Sequence, residues 1–80
     1  MIDIFEDMAK ILIRDTYYED GPNLERPERI KLLDLITAKT GKNHTLIVHV
    51  NIEPDAIYYD YALDDADEND VLVEEWDNRF

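Results

Sequence analysis

The run TLIVHVNIEPDAIYYDYAL, residues 45–63, decides how the chain is read. From Thr45 to Ile52 it alternates strictly: Leu46, Val48, Val50 and Ile52 share one face, and Thr45, Ile47, His49 and Asn51 share the other. That period of two is the signature of a strand with one face buried. Glu53-Pro54-Asp55 is turn chemistry. Ala56 to Leu63 then alternates again, with Ile57, Tyr59, Tyr61 and Leu63 inward and Tyr58, Asp60 and Ala62 outward. The two runs predict a β-hairpin over 45–63.

Upstream the period changes to that of a helix. Over Asp3 to Arg14, Ile4, Phe5, Met8, Ala9, Ile11 and Leu12 form one stripe opposite Glu6, Asp7, Lys10 and Arg14. Asp3 and Glu6 have the spacing of a capping box. The helix is expected to fray through Thr16-Tyr17-Tyr18 into a turn cluster, Glu19 to Asn23. A second helix fits Pro27 to Thr40, with proline at its first position and Gly41 ending it in a left-handed conformation. Its broad stripe of Ile30, Leu32, Leu33, Leu35 and Ile36 predicts burial on two sides.

Downstream, Val71 and Val73 favour a third strand over 71–76, while the spacing of Leu72, Trp76 and Phe80 keeps a helix capped by Asp70 open. The expected fold is α+β: one small acidic domain, residues 1–80, with two N-terminal helices packed on a small antiparallel sheet.

Charge is distributed regionally in this chain. The 80 residues carry 20 acids and 8 lysines and arginines, a formal net charge of −12 at pH 7. From Asn43 to Asn78 there is no lysine or arginine, and eleven carboxylates lie between Glu53 and Asp77. The bases Arg26, Arg29, Lys31, Lys39 and Lys42 belong to the second helix and its edges, where they balance charge locally. Clustered acid among nine isoleucines does not read as salt adaptation, and the 45% hydrophobic content argues against disorder outside residues 64–70.

Composition removes many functions. With no cysteine and two histidines there is no disulfide framework and no usual zinc constellation. The acidic N-terminus lacks the basic region of a signal peptide and no apolar run is long enough to span a bilayer, so a cytoplasmic protein without membrane contact is expected. His44 and His49 have no serine or cysteine to activate, and the densest acids lie in the most polar stretch, where nothing raises a carboxyl pKa. Gly21 and Gly41 are both used by turns, leaving none for a phosphate loop. The chain is not expected to be an enzyme or to hold a cofactor. Asp65, Asp67 and Asn69 match the first ligand positions of an EF-hand loop, but Asp70 replaces its glycine and Trp76 its final glutamate. Direct nucleic-acid binding is disfavoured because the few bases are interleaved with acids.

What remains is a docking surface for a basic protein. The expected contact residues are Glu53, Asp55, Tyr58, Asp60, Asp64, Asp65, Asp67, Glu68, Asp70, Glu74 and Glu75, with Tyr58 as an aromatic anchor ringed by steering charges. The plain alternative for Tyr58 is that it covers the sheet. In size, charge and aromatic admixture the chain resembles the phage and mobile-element DNA mimics that inhibit restriction enzymes, CRISPR effectors and DNA-repair enzymes. That resemblance implies carboxylates standing where phosphates bind. A second resemblance is local: Asp55-Ala-Ile-Tyr58-Tyr59, an acidic stretch and Val73-Glu-Glu-Trp76 are similar to a segment of the colicin-type DNase immunity proteins. It implies a nuclease-gripping role for Asp55, Tyr58 and Tyr59; it departs at Asp60, where that family has proline, and at the 45–52 strand, since that family is all-helical. A divalent-cation-binding domain, a structural subunit and a homodimer are further alternatives.

Overall fold

A computed structural model describes residues 4–65 and the backbone of residues 73–78. The order of elements is α1 (Ile4–Asp15), β1 (Tyr17–Gly21), α2 (Arg26–Thr40), β2 (His44–Ile52), β3 (Ile57–Asp65) and β4 (Val73–Asn78). The fold is α+β, with the expected helices separated by a strand.

The hairpin is longer than expected, pairing β2 and β3 without interruption from His44↔Asp65 to Ile52↔Ile57. β1 adds antiparallel to the free side of β3, and β4 adds parallel to the free side of β2, giving the order β1-β3-β2-β4. The sheet is therefore four-stranded and mixed. The expected third strand over 71–76 is observed at Val73–Asn78; residues 71 and 72 lie outside the described residues.

Both helices lie on one face of the sheet. Met8, Ala9 and Leu12 of α1, Leu32, Leu33 and Ile36 of α2, and Leu46, Val48, Tyr61 and Leu63 of the hairpin form one buried cluster with Leu24. Glu6 pairs with Lys39 at 2.8 Å and so ties the two helices together; its expected capping partner, Asp3, lies outside the described residues. The second helix starts at Arg26, one residue early. Glu25 and Glu28 cap it reciprocally, and Gly41 closes it at φ 77° with its N–H donating to Thr37 O.

Two burial expectations are corrected. Ile30 is 39% exposed, because a two-layer molecule offers α2 only one covered side, and Ile57 is 54% exposed at the open end of the hairpin. The expected fraying and turn over residues 16–23 are corrected as well: α1 stops at Asp15, Thr16 takes φ 58°, and its carbonyl accepts from Leu63 N–H at 3.1 Å, which delivers Tyr17 straight into β1. A register irregularity between Tyr18 and Gly21, with Asp20 at φ 52°, shortens that strand.

Tyr61 joins β3 to the segment between β1 and α2. Its ring is fully buried, and its hydroxyl accepts from Leu24 N–H at 3.2 Å and donates to Pro22 O. A Cβ on Gly21 would meet the same ring at 2.7 and 2.8 Å, so glycine is required by close approach. Tyr61→Phe leaves the buried Leu24 N–H without that acceptor and is expected to cost about 1–3 kcal/mol in urea unfolding. Gly21→Ala is expected to cost about 1–3 kcal/mol through overpacking. Unchanged unfolding midpoints in both variants would show that this junction is not tightly packed.

Candidate functional site: the uncovered face of the sheet

Opposite the helices the sheet is open among the described residues. Alternation places Tyr17 of β1, Ile47, His49 and Asn51 of β2, and Tyr58, Asp60, Ala62 and Asp64 of β3 on that face. Tyr17 is 46% and Tyr58 39% exposed, whereas Ile47, His49, Asp60 and Ala62 are half-buried by their neighbours.

Asp60 organises this face. Its carboxylate accepts from Asn51 Nδ2 at 2.9 Å, from the Asp20 N–H at 3.0 Å and from the Tyr17 hydroxyl at 3.2 Å. One side chain thus ties β2, β3 and β1 together. The expected contact residue has a structural role here, because its oxygens are occupied by the protein's own donors. Desolvation and the neighbouring Asp60 carboxylate push the Tyr17 phenol above its ordinary value, and burial does the same to Tyr61.

The other expected contact residues fall in separate places. Glu53 and Asp55 are exposed in the turn between β2 and β3; Asp64 and Asp65 are exposed at the far end of β3. At about 3.4 Å per residue the strand separates these groups by about 27 Å, so the acids line the sheet from end to end rather than crowding one end. Asp65 is also engaged behind the sheet, 3.6 Å from Lys42 Nζ and 3.7 Å from His44 Nε2. Glu74 and Glu75 lie on β4, paired in register with Ile47 and Val48. Asp67, Glu68 and Asp70 lie outside the described residues, as does most of the EF-hand-like run; among the described residues no three ligating side chains cluster.

Tyr58 and Tyr59 are neighbours on one strand and so belong to opposite faces. Tyr58 lies on the open face, while Tyr59 packs against the core. A partner seated on the sheet reaches only the first, which separates this geometry from the paired-tyrosine grip of the immunity proteins.

Sequence reasoning missed two contributors to this face, Tyr17 and the Asp20 N–H, because they fell in the expected frayed helix end and in the turn after it. It also left His44 unassigned. His44 shares the parity of Leu46 and Val48, the signal that marks it as inward, and it is 6% exposed.

The charge asymmetry of the sequence becomes an asymmetry between layers. The four strands and the β2–β3 turn contain ten acids, Glu19, Asp20, Glu53, Asp55, Asp60, Asp64, Asp65, Glu74, Glu75 and Asp77, and no lysine or arginine. Six bases lie in the helices: Lys10, Arg14, Arg26, Arg29, Lys31 and Lys39. Lys42 stands at the border between the two layers. Arg29 is buried, with its guanidinium donating to Leu24 O.

Comparison of the chain with protein-family models, curated proteins and solved structures finds no match.

Asp60→Ala is expected to release β1 first, seen as faster amide hydrogen exchange at residues 17–21 than in the β2–β3 pairing. A second expectation concerns alkaline pH. Because the Tyr17 and Tyr61 phenols have raised values when folded, the unfolded chain loses these protons first. Their contribution is complete below the ordinary value of 10.0 and is lost as pH rises from there through the raised folded values. Stability should fall with pH in that window, with phenolate absorbance of these two tyrosines rising later than that of free tyrosine.

Proposed function

We propose that this chain is a small acidic docking protein whose sheet covers the basic, nucleic-acid-binding surface of a partner protein, in the manner of a DNA mimic that inhibits a restriction enzyme, a CRISPR effector or a similar target. One observation carries the reading: a four-stranded sheet that together with its β2–β3 turn holds ten carboxylates and no lysine or arginine, open among the described residues on the side away from the helices. A negative face of this kind repels nucleic acid and steers lysine- and arginine-rich surfaces toward it. Its acids extend along the strands, as phosphates extend along a duplex, and Tyr17 and Tyr58 supply apolar area among them.

In this reading no single carboxylate dominates. Exposed charges at the rim of an interface are worth about 0.2–1 kcal/mol each, so Asp55→Asn or Asp64→Asn alone should weaken binding by about twofold to fivefold. The combined neutralisation of Asp20, Glu53, Asp55 and Asp64 should weaken it by about 100-fold.

The primary test is recovery of partners from host lysate at low and high salt with double-stranded DNA as competitor. The expected result is a DNA-binding protein that DNA and salt both displace. A complex insensitive to both would remove the mimic reading. Loss of binding on Tyr58→Ala, with the fourfold neutralised variant unaffected, would replace it with an aromatic-anchored interface. For the free protein the salt effect should be opposite, with the melting temperature rising as salt screens repulsion within the sheet.

A further inference from the structure

Tyr17 is the most exposed aromatic side chain among the described residues, at 46%, yet it is fixed in place. Its backbone pairs with Ala62, and its hydroxyl donates to Asp60, two residues away on β3, at 3.2 Å. The side chain therefore lies along the open face instead of standing away from it, with one side of the ring toward the sheet and the other toward solvent. β1 is an edge strand, so a partner reaches this ring from above and from the side.

Glu19 and Asp20 follow Tyr17 on the same strand, and both are exposed. Desolvation and the Asp60 hydrogen bond do most to raise the Tyr17 phenol, and the charges of Asp60, Glu19 and Asp20 add to the shift, which sets all three carboxylates about the polar end of the ring. They are not equivalent. The Asp60 oxygens already accept from three donors, whereas the Glu19 and Asp20 carboxylates meet neither a base nor a hydrogen-bond donor among the described residues. Arg14, three residues before Tyr17, is held by Asp15 at 2.7 Å. A flat aromatic surface beside two unused carboxylates suits a cation that is itself flat and carries several donors. A guanidinium meets both conditions, since it is weakly hydrated, stacks on aromatic rings and presents five N–H groups in one plane. An ammonium is a compact, strongly hydrated charge that leaves most of the ring uncovered.

We propose that this corner of the sheet is an arginine-binding site, in which a guanidinium of the basic partner stacks on Tyr17 and donates to the carboxylates of Glu19 and Asp20. The inference rests on the reading of the open face as a docking surface for a basic protein. It adds that the surface prefers arginine to lysine and that its aromatic anchor is Tyr17. Tyr58, the anchor expected from the sequence, is less exposed, at 39%, and stands in register with the neutral Asn51. A ring already held by Asp60 also loses little freedom when a partner settles on it.

The test is a titration of the isotope-labelled full chain with hexa-arginine and with hexalysine at equal ionic strength. Both peptides should bind, hexa-arginine about fivefold more tightly, with the largest shifts at the Tyr17 ring and the Glu19 and Asp20 amides. Tyr17→Leu should abolish the preference by weakening hexa-arginine alone, whereas Tyr17→Phe keeps the ring and should keep the preference. The Leu63 amide, bonded to Thr16 O, reports whether β1 stays docked in each variant. Tyr58→Leu should leave the preference unchanged. Glu19→Gln with Asp20→Asn should weaken hexa-arginine by about tenfold, and Glu53→Gln with Asp55→Asn, the same change of charge at the turn, by less than about threefold. Where Tyr17→Leu disturbs the Leu63 amide, the comparison of these two charge pairs decides. Equal affinity for the two peptides, a preference that survives Tyr17→Leu, or equal losses from the two charge pairs would each overturn the arginine site and leave the basic-partner reading standing. Failure of both peptides to bind would remove that reading as well.

Discussion

The nine-pair register between β2 and β3 is the constraint on which the rest of the molecule depends. It puts Leu46, Val48, Tyr61 and Leu63 under the helices and His49, Asn51, Asp60 and Asp64 on the other side. A slip of one residue on both strands would exchange these sets. Removing four large apolar side chains from the core at about 1.5–3 kcal/mol each amounts to about 6–12 kcal/mol, comparable with the whole stability of a small domain. The register therefore has one acceptable value. Once it is fixed, β1 and β4 have only the two outer edges to occupy, and the acids of β3 fall in the rows that the alternation assigns them.

This constraint was legible in residues 45–63 because both strands follow period two and Glu53-Pro54-Asp55 interrupts them with turn chemistry. The second helix was legible for similar local reasons, above all Gly41 at its end. β1 was not legible. Tyr17-Tyr-Glu-Asp-Gly21 contains turn formers and two acids, and two neighbouring or internal residues, Thr16 and Asp20, adopt left-handed backbone that local propensity assigns to turns. Its strand character comes from distant partners: β3 supplies the ladder, and Asp60 accepts from the Asp20 N–H and the Tyr17 hydroxyl. A contact 40 residues apart leaves no local periodicity to read. The same reasoning explains Asp60, whose role as a junction depends on β1 being where it is.

The overestimate of burial at Ile30 has a different origin. A stripe of five apolar residues wider than a half-turn suggested two neighbours for α2, but the sheet and α1 both meet the side that carries Leu32, Leu33 and Ile36. Arg29 is buried on that side, and its link to Leu24 O secures the entry to the helix. The width of an apolar stripe limits how much of a helix is able to be covered; the number of layers decides how much is.

Segregating acid into the sheet has an energetic cost as well as a use. Like charges on adjacent strands repel one another, and a net charge far from zero destabilises the compact state. The chain limits this cost in two ways. Asp60, on the open face, accepts hydrogen bonds from three donors, and four of the bases lie on α2 behind the sheet. Asp65 is also relieved by Lys42, whereas Glu53 and Asp55 at the turn and Asp64 at the far end of β3 stay exposed. A basic surface laid across them removes that repulsion and gains its own counterions at once. Under the proposed function, a partner of opposite charge would stabilise the fold by binding it, and the carboxylates that weaken the isolated chain would supply the driving force for docking.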